Sequence, residues 1–338
     1  MKQIRLGNTV FEGNNSIYLF DEEGPTVLVD TGVGTAEARA ELESSLSEHG
    51  VAVRDLDEVF LTHYHGDHAG LAGWIQDESG ATLRVHEADA PIVRGDPDAM
   101  TELLSKQKAC FEAWGMPADD RATLLERLDN YDDYYTGTPP VETFTHGETF
   151  DVGETTFEVM HSPGHTEGLS SFIMTDRNEV LSGDALLPVY TPNVGGADVR
   201  VDKPLAKYIR TLGEYVSKDF DVAWPGHRDA IDDPTNRAQY IIHHHGERAL
   251  RVVRVLEDRG SADAWTVSAD LFGSLEGIHV LHGPGEASAH LDHLVDLGDV
   301  TCDDGQYRLT DAGRDRLADH EGETWPLRTA GAPTERKG

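Results

Sequence analysis

The sequence predicts an α/β protein followed by a smaller, mostly helical C-terminal part. Short apolar stretches with strand character alternate with helical patterns as far as Trp224. Metal-binding residue types stand directly after several of these stretches, which places them at strand ends. Beyond Pro234 a long helical run begins and strand character becomes rare. These three observations favour a sheet-based domain that carries the chemistry, with a second domain packed against it.

Local patterns of apolar residues and turn residues predict the elements in order. Ala38, Leu42 and Leu46 recur at a spacing of four before Gly50, which predicts a helix over 36–49. The predicted strands lie at 16–20, 26–29, 59–61, 83–86, 149–151, 156–160, 171–175, 179–181 and 222–224. Further helices are predicted at 205–215 and 238–256, followed by helices at 262–272 and 286–297 and a small hairpin at 300–309.

The segment 91–133 is rich in helix formers and is interrupted by Gly115 and Pro117. It is therefore predicted to form at least two helices inserted into the first domain. A lid over the functional site is one role for this insertion. The last residues, 329–338, are rich in proline, glycine and charge and are predicted to form a flexible tail.

The charge balance indicates a halophile-type surface. The 338 residues include 62 acidic and 28 basic residues, which gives a formal net charge of −34. The acidic residues are scattered along the whole chain, so they indicate a solvated surface and not a binding tail. Nucleic acid is an unfavourable partner for such a surface, because phosphate binding depends on Lys and Arg.

Cysteine content and hydropathy define the expected compartment. Cys110 and Cys302 are the only cysteines, and their separation predicts neither a disulfide framework nor a thiolate metal site. We expect both thiols to be buried. The first residues lack an apolar signal core, and no window approaches the length of a membrane span. The expected location is therefore cytoplasmic, without membrane association.

The run HYHGDH at 63–68 is the most informative feature of the chain. It places three imidazoles and a carboxylate on one turn, directly after the predicted strand at 59–61. Packing alone gives little reason for this crowding, because each buried polar group needs a hydrogen-bond partner. A metal ion would use all of these groups at once. The run therefore predicts a metal site.

Later segments repeat the arrangement of a ligand type after an apolar stretch. The segments are Val29-Asp30, the run HSPGHT at 161–166, the run LSGD at 181–184 and the run WPGH at 224–227. Glycine at a strand end allows the sharp turn that directs the next side chain into a shared cleft. In this order and spacing, the chain resembles the metallo-β-lactamase fold of metallohydrolases, whose motif H-x-H-x-D-H is followed by a His, a Gly-Asp and a Gly-His.

The resemblance implies an αββα sandwich and a set of seven metal ligands. It implies that the first metal is held by His63, His65 and His165. The second would be held by Asp67, His68 and His227, and Asp184 would bridge both. Nitrogen and oxygen ligands suit Zn, Fe or Mn, with Zn expected. Asp30 resembles the family aspartate that orients ligands through hydrogen bonds.

The resemblance also implies a mechanism and a division of the chain. Two neighbouring cations lower the pKa of a shared water from about 15.7 toward about 7, so that a bridging hydroxide becomes the nucleophile. Asp67 is expected to orient this nucleophile and to accept its proton. The expected domains are a hydrolase domain at 1–238, a winged-helix-like domain at 239–328 and the tail at 329–338.

The segments between the motifs resemble a branch that contains lactamase-β-like and glyoxalase II-like hydrolases with a C-terminal winged helix. The run EASAHL at 286–291 matches the E-x-x-A-H-L run of that branch. We therefore expect a small ester, a lactone or a thioester like hydroxyacylglutathione as substrate. Tyr64 and Tyr190 stand beside ligand motifs and are candidate substrate contacts.

Two alternatives share the same motifs. One is a metal-dependent endonuclease of single-stranded RNA, and the other is a mononuclear iron persulfide dioxygenase. The segment 246–310 contains five arginines and twelve acidic residues, a net charge of −7, so phosphate attraction there is weak. We expect this region to pack on the hydrolase domain, to wall its cleft or to form a homodimer interface.

The acidic composition predicts that salt stabilises the fold. Added ions screen the repulsion between like surface charges, so we expect the melting temperature to rise by several degrees between ~0.1 M and ~2 M KCl. Sucrose at equal osmolality leaves charges unscreened and serves as the control. A melting temperature that stays constant or falls in KCl contradicts the halophilic interpretation.

Overall fold

The computed structural model describes residues 1–8, 13–129, 134–273 and 279–327. Two mixed β-sheets pack face to face, and helices cover the outer face of each sheet. The molecule is therefore an αββα sandwich, and the predicted α/β class is confirmed. The predicted tail at 329–338 lies outside the described residues.

The first sheet contains six strands in chain order. They are β1 (Lys2–Leu6), β2 (Asn15–Phe20), β3 (Val27–Val29), β4 (Glu58–Phe60), β5 (Thr82–His86) and β6 (Glu142–Phe144). Neighbouring strands are antiparallel from β1 to β3 and parallel from β3 to β6. Because parallel strands end at the same edge of a sheet, the segments that follow β3 and β4 lie side by side.

The second sheet contains five strands in the order β11-β10-β9-β8-β7. They are β7 (Thr149–Val152), β8 (Thr155–His161), β9 (Ser170–Met174), β10 (Glu179–Gly183) and β11 (Val222–Pro225). Strands β10 and β11 are parallel, and the other neighbours are antiparallel. The segments after β10 and β11 consequently leave the sheet at one edge.

Aromatic side chains fill the space between the two sheets. The ring of Phe60 on β4 meets the rings of Phe157 and Phe172 with centroids 5.6 and 5.5 Å apart. Phe20 on β2 meets Phe157 at 5.1 Å, and all three pairs are in edge-to-face contact. Each such pair contributes about 0.5–1.5 kcal/mol beyond the area it buries. This aromatic core holds the two sheets together.

Eleven α-helices lie within the described residues. They are α1 (Ala36–Glu48), α2 (Gly66–Ala69), α3 (Ala72–Ser79), α4 (Ala90–Val93), α5 (Pro97–Ala113), α6 (Ala118–Asp129), α7 (Pro204–Lys218), α8 (Pro234–Arg259), α9 (Ala264–Phe272), α10 (His279–Asp296) and α11 (Asp311–Ala318). Helices α1 and α3 pack on the first sheet, and α7 and α8 pack on the second. Within the described residues, no helix is long and apolar enough to cross a bilayer.

Most predicted elements are present with slightly different ends. The edge strands β1 and β6 and the helices α2, α3 and α11 were not predicted from the sequence. In β1, Ile4 and Leu6 are buried while Arg5 is exposed, so the apolar pattern is too short to stand out. The thiol prediction was wrong for Cys302, which is exposed on the C-terminal hairpin, and Cys110 is only partly buried.

The C-terminal region begins without a break in α8. This helix starts at Pro234 and not at Ala238, because the side chain of Asp233 caps it by accepting from the backbone N–H of Asn236 at 2.9 Å. It then runs through Gln239, the predicted domain boundary. The helices α9 and α10 are followed by a hairpin of β12 (Val300–Asp303) and β13 (Gln306–Leu309). The division at Gln239 and the winged-helix assignment stay predictions.

The inserted helices contact the C-terminal region. The backbone N–H of Trp265 on α9 donates at 2.8 Å to the carbonyl of Trp114, the C-cap residue of α5. A side chain at Gly115 would collide with the carboxyl group of Asp263, at 2.4 Å from its Oδ2 atom. The insertion is thus anchored at this end by backbone contact with the start of α9.

We predict opposite effects of two glycine-to-alanine changes. A Cβ at buried Gly285 in α10 would lie 2.3 Å from the Cα of Gly196, so Gly285→Ala should destabilise the fold by about 1–3 kcal/mol. Gly213 lies exposed in α7 with nothing within 4 Å of an added Cβ, and Gly213→Ala should stabilise by about 0.5–1 kcal/mol. Urea unfolding measures both. Equal free energies of unfolding for the two variants would contradict the close contact.

Candidate metal centre

Four strand ends bring Asp30 and three of the predicted ligands to one edge of the sandwich. Asp30 follows β3 and His63 lies just beyond β4, while Asp184 follows β10 and His227 follows β11. Parallel pairing places the members of each pair side by side. The backbone N–H of Ser16 on β2 donates to the carbonyl of Gly226 at 2.8 Å, which joins the two sheets at this edge.

Three ring nitrogens converge from His63, His65 and His165. The Nε2 atom of His63 and the Nε2 atom of His165 lie 2.9 and 3.1 Å from the Nδ1 atom of His65. The opposite nitrogens donate to backbone carbonyls: His65 Nε2 to Ala197 at 3.2 Å, and His165 Nδ1 to Asn193 at 2.9 Å. Since a neutral imidazole has one N–H, the nitrogens of His65 and His165 that face the centre carry lone pairs.

Asp30 orients two imidazoles, those of His63 and His68. Its Oδ2 atom accepts from the hydroxyl of Thr62 at 2.9 Å and from Nδ1 of His68 at 2.8 Å. Because the Thr62 hydroxyl donates to Asp30, its oxygen accepts from Nδ1 of His63 at 3.0 Å. His63 therefore presents an unprotonated Nε2 atom to the centre, and Asp30 fixes the ring of His68 so that its Nε2 atom also faces the centre. Asp30 holds this position at a φ of 61°, a conformation that few residues other than glycine adopt.

A second set of donor atoms comes from Asp67, His68 and His227. The Oδ2 atom of Asp67 lies 3.4 Å from Nε2 of His227 and 3.7 Å from Nε2 of His68. Asp184 lies between the two sets: its Oδ1 is 3.5 Å from His68 Nε2, and its Oδ2 is 3.6 and 3.7 Å from the Nε2 atoms of His227 and His165. All seven predicted ligands therefore meet in one place.

The space between these atoms suits metal ions. Tetrahedral bonds of about 2.0–2.1 Å place nitrogen ligands about 3.3 Å apart, which is close to the observed spacings. The buried Nε2 of His68 and Oδ1 of Asp184 have no hydrogen-bond partner among the described residues. A Cβ at Gly226 would lie 2.5 Å from Oδ1 of Asp184 and 2.6 Å from Cε1 of His68, so glycine keeps the space open. The residues present fit a metal centre.

The electrostatics of the pocket also favour cations. Within the described residues, the ion pairs of the three buried carboxylates Asp30, Asp67 and Asp184 are all with histidines. Burial opposes ionisation, yet the nearby imidazoles hold the pKa of Asp67 and of Asp184 below the usual value. Divalent ions offset such buried negative charge directly.

The imidazoles divide into two groups by charge. Burial, together with neighbouring imidazoles, lowers the pKa of His63 well below its usual value and that of His65 to about 3. Burial acts in the same direction on His68 and His227, but nearby carboxylates outweigh it: they raise the pKa of His68 well above its usual value and that of His227 to about 10. His63 and His65 are thus neutral, whereas His68 and His227 balance the charge of the neighbouring carboxylates.

Sequence analysis missed several residues that orient the ligands. Thr62 joins Asp30 to His63, and the carbonyls of Asn193 and Ala197 orient two other histidines. The amide of Asn15 donates to Oδ2 of Asp67 at 3.3 Å. No sequence signal identifies a backbone carbonyl. Thr62 and Asn15 stand beside predicted strand ends, and that position was the one available signal.

The two predicted substrate contacts occupy different settings. Tyr64 is buried, its hydroxyl donates to the carbonyl of Ala197 at 3.4 Å, and the guanidinium of Arg200 lies 4.6 Å from its ring centre. Tyr190 is 45% exposed beneath the guanidinium of Arg228, at 4.5 Å. Tyr190 is thus accessible, and Tyr64 packs behind the ligands. Their contact with substrate stays a prediction.

The family follows from this geometry together with a sequence comparison. The family model of the metallo-beta-lactamase superfamily matches residues 10–227, which is more than half of the chain. The chain belongs to the metallo-beta-lactamase superfamily, and the predicted resemblance is confirmed.

Similar proteins extend this result over most of the chain. The probable metallo-hydrolase YqjP of Bacillus subtilis is 26% identical over 298 residues, which cover 86% of this chain and 91% of that protein. An atrochrysone carboxyl ACP thioesterase of Emericella nidulans is 25% identical over 67% of this chain, and the match spans 55% of that protein's length.

A solved structure matches both the sandwich and the C-terminal region. It is a metallo-beta-lactamase family protein from Thermus thermophilus, with a TM-score of 0.79 and 27% identity, covering 91% of this chain and 98% of that one. A beta-lactamase domain protein from Burkholderia ambifaria has the same fold, with a TM-score of 0.77, 22% identity and coverage of 91% and 92%. The family and its named hydrolases make this chain a hydrolase.

Replacing Asp30 by asparagine tests the orientation of the ligands. An asparagine at this position would tolerate the positive φ but would place an N–H group against one of the donors, Thr62 or His68. We expect Asp30→Asn to weaken metal binding about 10–100-fold, measured by titration against a chromophoric chelator. Asp57→Asn is the control, because Asp57 is an exposed loop residue whose carboxylate accepts from the backbone N–H of Thr26. Unchanged affinity in Asp30→Asn would rule out this role for Asp30.

Proposed function

We propose that the chain is a binuclear metal-dependent hydrolase of small acyl thioesters, with esters and lactones as related substrates. The observation that carries this proposal is the position of Asp184 between the two sets: its Oδ2 atom lies 3.7 Å from Nε2 of His165 in the three-histidine set and 3.6 Å from Nε2 of His227 in the second set. A single ion would leave one of these sets without use. The proposal therefore includes two ions for each chain.

The ligand assignment follows the two sets. One ion would be held by His63, His65 and His165, and the other by Asp67, His68 and His227, with Asp184 shared. Neutral imidazoles and carboxylates suit zinc, iron and manganese. We propose zinc, because the three-histidine set has a spacing close to that of tetrahedral zinc ligands.

Asp67 has the position expected of the residue that handles the proton. Its Oδ2 atom lies between Nε2 of His227 and the amide donors of Asn8 and Asn15, at 3.4, 3.4 and 3.3 Å. These donors fix the carboxylate so that it can orient a water molecule and accept its proton. Two bound cations would lower the pKa of that water and polarise the substrate carbonyl.

The substrate class rests on relatives and on charge. The fungal relative at 25% identity is named as a thioesterase, and the relative at 26% identity is named as a probable metallo-hydrolase. Hydrolysis of a thioester requires a nucleophile that attacks the carbonyl carbon, and a cation stabilises the oxyanion that forms. The proposed centre would supply both. The net charge of −34 disfavours a polyanionic substrate, so a small molecule is proposed and RNA is not.

Metal removal and restoration test this proposal. We expect chelator-treated protein to lose hydrolysis of a panel of acyl-CoA, acyl-glutathione and acyl-N-acetylcysteamine thioesters, and Zn²⁺ to restore it. Elemental analysis of the restored protein should give two ions per chain. One iron per chain with sulfur dioxygenation would support a dioxygenase instead, and no turnover of thioesters, esters or lactones would overturn the hydrolytic proposal.

A pair of aspartate variants separates catalysis from surface charge. Asp67→Asn removes the proposed proton acceptor and should lower kcat by at least about 100-fold. Asp221→Asn changes an exposed aspartate that precedes β11 and should leave kcat unchanged. Circular dichroism of both variants checks the fold. Equal kcat values in the two variants would remove Asp67 from the mechanism.

A further inference from the structure

One short loop supplies the acceptors for two of the three converging histidines. This loop, residues 193–197, follows the Asp184 segment and is described throughout. The carbonyl of Asn193 accepts from Nδ1 of His165 at 2.9 Å, and the carbonyl of Ala197 accepts from Nε2 of His65 at 3.2 Å. The loop thus decides which ring nitrogens of His65 and His165 face the centre.

The loop has its own internal support. The Oδ1 atom of Asn193 accepts from the backbone N–H groups of Gly196 and Ala197 at 3.0 and 2.8 Å. This turn keeps the two carbonyls at a fixed separation. The side chain of Asn193 then has only its NH₂ group left for contacts outside the loop.

Glu286 on α10 holds the loop from the C-terminal side. Its Oε2 atom accepts from the amide of Asn193 at 3.2 Å and from the backbone N–H of Val194 at 3.1 Å. Glu286 is 4% exposed, and Arg248 on α8 donates to its Oε1 atom. Both oxygens of this buried carboxylate are therefore used, one toward the loop and one toward α8.

The backbones of α10 and the loop also touch directly. A Cβ at Gly195 would lie 2.6 Å from the carbonyl oxygen of Gly285. The amide of Asn193 donates in addition to the carbonyl of His282 at 3.1 Å. The distance between the helix and the loop is thus set by close packing, with no room for a side chain between them.

We propose that Glu286 is a positioning residue for the metal centre, acting through the loop 193–197 on His65 and His165. This inference rests on the proposed function, because it needs an ion at the three-histidine set. The C-terminal region then helps to orient the metal ligands through Glu286 on α10. Loss of the Glu286 carboxylate should weaken the three-histidine set and spare the set of Asp67, His68 and His227.

The chemistry of the substitution Glu286→Gln makes this inference testable. Both carboxylate oxygens of Glu286 accept hydrogen bonds, while a glutamine side chain offers one oxygen and one NH₂ group. Either orientation of the amide sets a donor against a donor, facing Arg248 or facing the loop. The change therefore disturbs the loop contact with almost no change in the volume of the side chain.

A metal site at Glu286 itself is the competing interpretation. His245, Glu286 and His290 lie close enough to share an ion. The guanidinium of Arg248 already donates to the Oε1 atom of Glu286, and His245 and His290 are hydrogen-bonded to each other at 3.2 Å. A cation in contact with the carboxylate disfavours a second one, so this cluster acts as a link between α8 and α10.

The experiment compares metal binding by wild-type protein, Glu286→Gln and Asp292→Asn. Asp292 lies on the same helix and accepts from Tyr307 and Ser288, away from the loop, so its amide variant is the matched control. Chelator-treated full-length proteins are titrated with Zn²⁺ against a chromophoric chelator. In Glu286→Gln we expect one binding event to weaken about 10–100-fold and the other by less than about threefold, with neither changed in Asp292→Asn.

Cobalt spectroscopy gives a second readout. In proton NMR spectra of Co²⁺-substituted protein, we expect the N–H protons of His65 and His165 that face the loop to give exchangeable resonances shifted by the paramagnetic ion. We expect these protons to exchange faster with solvent in Glu286→Gln. Asn193→Asp keeps the Oδ1 acceptor but loses the donor to Glu286, and it should weaken the same binding event, which keeps the test available if Glu286→Gln does not fold.

The outcomes separate this inference from the proposed function. Equal weakening of both binding events, no weakening, or the same effect in Asp292→Asn overturns the role of Glu286. Wild-type protein that binds one ion contradicts the two-ion function, and the effect of Glu286→Gln on that ion still decides the inference. Wild-type protein that binds no ion overturns both.

Discussion

The structure depends on lone pairs and carboxylates that face one another inside a buried pocket. The Nε2 atoms of His63 and His165 lie 2.9 and 3.1 Å from Nδ1 of His65, and hydrogen bonds on the far sides of the three rings prevent these nitrogens from donating to each other. Without a cation this arrangement is repulsive and poorly solvated. The strand ends, the glycine at position 226 and the loop 193–197 all serve to hold it in place.

The α/β class was predictable from the apolar patterns, and the αββα sandwich and the seven ligands were predictable from the family resemblance that the motifs carry. Strand alternation gave most of the two sheets, and the run at 63–68 pointed to the edge where the strands end. The supports of the ligands were not predictable in the same way. Asn193 and Ala197 act through backbone carbonyls, which every residue has, so their role depends on three-dimensional placement alone.

Near Gln239 the sequence pattern changes, but the backbone continues without a break. The sequence loses strand character near Pro234, and this change suggests a boundary. The backbone continues through it as α8, because the cap at Asp233 and Pro234 starts a helix whose later turns contact α10 through Arg248 and Glu286. The composition of the sequence thus indicates where strands give way to helices. Whether the regions before and after Gln239 form separate units depends on the contacts between them.

The unbroken course of α8 has a mechanical consequence. Its 26 residues extend over about 39 Å at 1.5 Å per residue, with the first turns on the second sheet and the later turns beside α9 and α10. A helix cannot bend at Gln239, which lies in the second turn of α8, without breaking backbone hydrogen bonds of that turn. The sandwich and the C-terminal region therefore lack a hinge at this point, and α8 is a rigid connection between them.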